Sequence, residues 1–147
     1  RSLRAMRRIL IAIDGSDNAL RAVRQVVSLA PELRAPPQLL LANVQPVVVS
    51  GGVRTFVNAD QIDAWYRSEG EKALAGARDL LAAAGLAHEH HIVVGDPAET
   101  LARMARERGC DLIVIGTRGM SAIGNLLMGS VATKVLQLAD APVLLVR

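Results

Sequence analysis

The residues with the clearest chemical potential are Gly116-Thr117-Arg118-Gly119 and, after nine intervening residues, Gly129-Ser130. Glycines let the backbone approach an anion closely and turn its N–H groups toward it. Gly129-Ser130 stands where a helix is expected to open. A helix N-terminus carries partial positive charge and unpaired N–H donors, so a phosphate can rest there. The Ser130 hydroxyl adds a donor, or a ligand for a phosphate-bound Mg²⁺. Arg118 could pair with phosphate or stand in solvent as a loop arginine. A second stretch, Asp14-Gly15-Ser16, follows an apolar run. Ser16 and Asp17 suit a helix start. Asp14 stands where an acid would meet a ribose or Mg²⁺, as a binding group and not as a general base. The glycine pattern alone allows simple turns as readily as a ligand site.

Better-known phosphate motifs do not fit. Gly124-x4-Gly129 has the glycine spacing of a P-loop, but Ser130 stands where its lysine belongs and Val131 where its serine or threonine belongs. The dinucleotide fingerprint needs three glycines after the first strand, and this chain has Asp14-Gly15-Ser16. No histidine falls in the expected crevice and no serine has an elbow motif, so no catalytic residue is assigned. His88, His90 and His91 invite a metal reading, but no cysteine stands near them and a surface cluster is the expectation. Cys110, the single cysteine, excludes an internal disulfide, fits a reducing compartment and reads as a small buried apolar residue.

Strands and helices alternate along the chain, the pattern of a parallel sheet covered on both faces. Strands are expected at Arg8–Ile13, Gln38–Val44, His88–Val94, Asp111–Ile115 and Val143–Val146. Helix one is expected from Ser16 to Ala30, capped by Ser16 and stopped by Pro31, with Ala19, Val23, Val26, Val27 and Ala30 inward. Helix two is expected over Asn58–Ala84, with Gly85 as its left-handed terminator. Helix three begins with Asp96 as cap, Pro97 at the first position and Glu99 three residues after the cap. Its stripe is Ala98, Leu101, Ala102 and Ala105, and Gly109 ends it. Helix four is expected over Gly129–Ala139 with Val131, Val135 and Leu138 inward. Between strand two and helix two, Gln45–Val57 reads as a flexible loop containing Gly51-Gly52. If strand one is central, the strand order reverses between strands one and four. Asp14-Gly15-Ser16 and the Gly116 loop then face each other across the crevice.

The 147 residues suit one α/β domain with a core of Ile, Leu, Val and Ala, since aromatics are only 2%. The net charge of +3 clusters only at Arg1, Arg4, Arg7 and Arg8. No aromatic platform accompanies these arginines, so no nucleic-acid partner is expected. No apolar run has the length of a membrane span or the form of a signal peptide, and the expected location is the cytoplasm.

Ile9-Leu10-Ile11-Ala12-Ile13-Asp14-Gly15-Ser16 resembles the opening of the universal stress protein (UspA) family. Gly116-x2-Gly119-x9-Gly129-Ser130 is similar to the signature of that family's ATP-binding branch, and Ala141-Pro142-Val143-Leu144-Leu145-Val146 matches its ending. The resemblance covers essentially the whole chain. It implies a doubly wound, five-stranded, Rossmann-like parallel sheet in the order 3-2-1-4-5, and an ATP (or ADP or AMP) site. Asp14 would lie beside the adenosine, Ala12 at the adenine pocket, and Val44 would meet adenine through its backbone. Gly116 and Gly119 would line the ribose and phosphate path. Gly129, Ser130 and Val131 would hold the phosphates. The resemblance also implies a homodimer through Val143–Val146. With no catalytic base, hydrolysis is expected to be slow or absent. The expected role is a nucleotide-responsive stress or signalling switch acting on a protein partner. The rivals are an adenine-nucleotide hydrolase and a nucleotide-free interaction module of the same fold.

Overall fold

The computed structural model describes residues 6–47, 58–118 and 128–147. Strands β1 (Arg8–Ala12), β2 (Gln38–Gln45), β3 (His88–Val94), β4 (Leu112–Gly116) and β5 (Val143–Val146) form one sheet in the order β3-β2-β1-β4-β5. Every pairing is parallel. Helices α1 (Asp17–Leu29), α2 (Ala59–Ala83), α3 (Pro97–Glu107) and α4 (Ser130–Leu138) supply the crossovers. A 3-10 turn, Ala30–Glu32, carries Pro31 just after α1.

Side chains alternate across a strand, so each central strand feeds two cores. Ile9, Ile11, Leu39, Leu41, Leu112 and Val114 face one way, against Val23 and Val26 of α1 and Leu74 and Leu81 of α2. Leu10, Leu40, Ala42, Ile113 and Ile115 face the other, against Leu101 and Ala105 of α3 and Val135 of α4. Burying one such side chain contributes about 1.5–3 kcal/mol, which is why runs such as Ile9-Leu10-Ile11 specify a strand buried on both faces.

The helix starts follow local chemistry. Ser16 Oγ accepts from Ala19 N–H, and Asp96 accepts from Glu99 N–H. Asn58 and Gln61 form a reciprocal capping box at α2. The ends of α2 and α3 pass through Gly85 and Gly109 at φ of 71° and 63°.

Several expected boundaries shift. β1 stops at Ala12, one residue early, and β2 runs to Gln45, one residue late. β4 begins after Asp111, whose buried carboxylate instead accepts from Arg7 and Arg8 N–H at 2.9 and 3.0 Å. On α4 the buried residues are Ala132 and Val135, Val131 packs partly buried against the same core, and Leu138 is 41% exposed. The stripe continues from Val135 to Ala139, four residues on, and not to Leu138. Most of the expected Gln45–Val57 loop and residues 119–127 lie outside the described residues.

Candidate functional site

The carboxyl ends of β1, β2 and β4 surround a cavity of about 460 Å³. Ala12 and Asp14 reach it from β1, Val44 from β2 and Gly116 from β4. Gly129, Ser130 and Val131 close it from the start of α4. Gly119, the remaining expected site residue, lies outside the described residues. The geometry follows from strand order, because β2 and β4 flank β1 and their connections leave on opposite faces.

The α4 end of the cavity is rich in backbone donors. Gly129 is the N-cap of α4 and supplies no side-chain acceptor. The N-caps of α1, α2 and α3 do supply one. The first N–H groups of α4 therefore have no capping oxygen among the described residues, and they begin at cavity-lining residues. Gly129 N–H itself donates to Thr117 C=O, which ties the helix start to the end of β4. Thr117 N–H donates to Val146 C=O at 2.7 Å, fastening the same segment to β5. Arg118, exposed, lines the cavity beside them.

Asp14 is engaged in its own turn. Its Oδ1 accepts from Ser16 N–H at 3.0 Å and from Ser16 Oγ–H at 2.5 Å. The carboxylate thus organises the start of α1 while also lining the cavity.

Two buried asparagines were not anticipated from sequence, each about 4% exposed. Asn18 Oδ1 accepts from Arg118 N–H at 2.6 Å, and its Nδ2–H donates to Val146 C=O at 3.0 Å. It fills the space beside Gly116, where an added Cβ would meet its Oδ1 and lie 2.7 Å from its Cγ. Gly116 is therefore required by packing against α1, and it also lines the cavity. Asn43, which lines the cavity, donates through Nδ2 to Ile13 C=O at 2.9 Å. Asn43 interrupts an apolar run and Asn18 follows the polar Ser16-Asp17 start of α1, so the one signal in sequence is a polar residue at a position the pattern makes inward.

The other candidates separate from this site. A second cavity, about 430 Å³, lies near the amino end of β4 and is lined by Cys110, Arg106, Asp140 and Pro142. Arg106 and Asp140 pair across it at 3.7 Å. Burial pushes the Cys110 thiol above its ordinary value. On β3, His91 Nε2 lies 3.7 Å from the Glu89 carboxylate. Among the described residues no three His, Cys, Asp or Glu side chains are grouped to hold a metal. No described helix is long and apolar enough to cross a membrane.

Comparison with known proteins agrees with this architecture. The family model described as "Universal stress protein family" matches residues 6–147. The chain is 36% identical over 145 residues to universal stress protein YxiE of Bacillus subtilis strain 168, covering 95% of this chain and 98% of that one. It superposes on the structure of hypothetical protein MJ0577 with a TM-score of 0.82 at 25% identity, covering 96% and 95% of the two chains. A universal stress protein solved in complex with cAMP matches with a TM-score of 0.66 at 30% identity, covering 97% and 98%.

Proposed function

This chain belongs to the universal stress protein family, and we propose that it binds an adenine nucleotide, ATP foremost, in the cavity between β1, β2, β4 and α4. The observation that carries this reading is the uncapped start of α4 opening onto that cavity. Uncapped N–H groups at a helix start suit a phosphate chain. The likeness to a universal stress protein solved with cAMP supports an adenine nucleotide as the occupant.

In this reading the phosphates lie on the amides of Gly129's successors, Ser130 and Val131, with the Ser130 hydroxyl as a further donor or a contact to phosphate-bound Mg²⁺. Gly116 and Gly119 border the ribose and phosphate path. Asp14 lies beside the ribose and Ala12 floors the adenine pocket. Val44 meets the adenine edge through its backbone.

The protein acts as a nucleotide-responsive switch with slow or no hydrolysis. The cavity supports this by what it holds: its carboxylate from the end of β1, Asp14, is tied into the Ser16 turn. A switch requires that nucleotide favour one state over another. The half-buried edge strand β5 supports a homodimer that continues the sheet, since an apolar edge needs a partner or a cover.

The test is calorimetric titration of nucleotide-stripped protein with ATP, ADP, AMP and cAMP, run beside a phosphate-release assay. Saturable binding of at least one of them, with turnover below about one per minute, is expected; the bound would correspond to a barrier above roughly 20 kcal/mol. Binding of none refutes the site, and fast turnover replaces the switch with a hydrolase. Sedimentation of the protein with and without a lysine at Leu144 tests the dimer.

A further inference from the structure

Alternate residues of β2 turn their backbone groups to opposite neighbours. Gln45 C=O accepts from Gly95 N–H on the β3 side, and Ala42 C=O accepts from Ile13 N–H on the β1 side. By the same alternation the N–H and C=O of Val44 point to the β1 side. The next rung of a parallel ladder would join Val44 N–H to Ile13 C=O. That rung is absent among the described residues. The β1–β2 register ends at Ala12 and Ala42, and Ile13 C=O accepts instead from Asn43 Nδ2–H at 2.9 Å.

Asn43 is held in this arrangement from its other side. Gln45 Nε2–H donates to Asn43 Oδ1 at 3.0 Å and to Tyr66 C=O at 2.7 Å. The carbonyls of Ile13 and Tyr66 can only accept, so they fix the orientation of both side-chain amides. The Asn43 oxygen must face Gln45 and its nitrogen must face Ile13. Asn43 is buried, and Val44, Ile13 and Gln45 all line the cavity.

We propose that Asn43 is a specificity-determining positioning residue: by taking the Ile13 carbonyl it leaves Val44 N–H, together with Val44 C=O, as a donor and acceptor pair for the edge of a 6-aminopurine. Adenine offers N1 as acceptor and its 6-amino group as donor, which matches that pair. Hypoxanthine offers N1–H and a 6-oxo group, the reverse order. A site built to pair polar groups rejects a ligand that leaves them unpaired. This inference rests on the proposed adenine-nucleotide site.

The experiment uses the full chain, Asn43→Leu and Asn43→Asp. Leucine has nearly the same shape and no polar atoms. Aspartate keeps the acceptor for Gln45 and lacks the N–H. Affinities for ATP, ITP and inorganic tripolyphosphate are measured, and Val44 amide exchange is followed by NMR without nucleotide. In the wild type, Val44 N–H exchanges faster than Ala42 N–H, and ATP binds in preference to ITP. In both variants ATP affinity falls about tenfold or more, the ATP and ITP affinities converge, and tripolyphosphate binding holds. In Asn43→Leu, Val44 N–H becomes protected as the ladder rung forms.

A Val44 amide already as protected as Ala42 in the wild type overturns the proposal whatever the protein binds. Variants that keep the ATP preference overturn it alone, and equal losses for all three ligands reduce Asn43 to a structural part. A wild type that binds no adenine nucleotide overturns the functional reading and this proposal with it.

Discussion

Gly116→Ala offers a quantitative test of how β4 meets α1. The backbone of Gly116 is not at positive φ, so alanine is not excluded by conformation. The cost comes from Asn18, because an added Cβ would lie 2.7 Å from its Cγ and 3.2 Å from its Nδ2. Asn18 cannot withdraw without losing its bonds to Arg118 N–H and Val146 C=O. A buried polar group left unpaired costs about 1–3 kcal/mol. Val146 C=O keeps Thr117 N–H, so its share falls at the low end. The sum is about 2–4 kcal/mol, which lowers Tm by roughly 5–15 °C for a domain of this size. Asn18→Ala alone should cost about 1–3 kcal/mol. In that background the clash is gone and Gly116→Ala should cost close to nothing. Urea unfolding of the four proteins should therefore give a coupling energy of about 2 kcal/mol or more. Additivity within about 0.5 kcal/mol would refute the argument that Gly116 is glycine on account of Asn18.

Other substitutions address the core, the helix start and the thiol. Leu74→Ala removes a fully buried α2 side chain facing the sheet and should destabilise by about 2–5 kcal/mol in urea unfolding. Gly129→Asp gives α4 the capping carboxylate it lacks. It should gain a few tenths of a kcal/mol in stability and lower ATP affinity about tenfold or more by occupying the helix donors and repelling phosphate; unchanged ATP affinity would count against the phosphate position. For Cys110, burial raises the folded-state value above 9.0. The folded chain then holds its proton where the unfolded chain releases it. The stability difference between wild type and Cys110→Ala should stay constant below about pH 9 and turn against the wild type as pH rises from there through the folded-state value.

Much of the fold was legible because its signals are local. Apolar runs such as Ile9-Leu10-Ile11, the Ser16 and Asp96 caps, and the glycines after α2 and α3 each act within a few residues. What the pattern missed depends on distant partners. Asp111 read as the first residue of a strand, yet its carboxylate serves Arg7 and Arg8 more than a hundred positions away. Asn18 and Asn43 carry no motif in sequence, and their meaning lies in carbonyls of Val146 and Ile13 that only the assembled sheet brings near. Leu138 was misread because a nine-residue helix has too few turns to separate a three-residue from a four-residue step by composition. At the cavity, Gly116, Gly129 and Ser130 are lining residues that the glycine pattern singled out, while Gly119 lies outside the described residues; the strand order that the family resemblance implies is the one observed. Strand order sets the shape of the cavity, and order is a property of the crossovers.

The most direct test of the central claim is the thermal melting temperature of nucleotide-stripped, refolded protein with and without Mg·ATP. A ligand at a hundred times its Kd adds about 2.7 kcal/mol, or roughly 5–10 °C here. The account predicts that rise in the wild type and its loss in Gly129→Asp. A melting temperature that does not move at millimolar ATP would contradict the claim that the cavity beside α4 holds an adenine nucleotide.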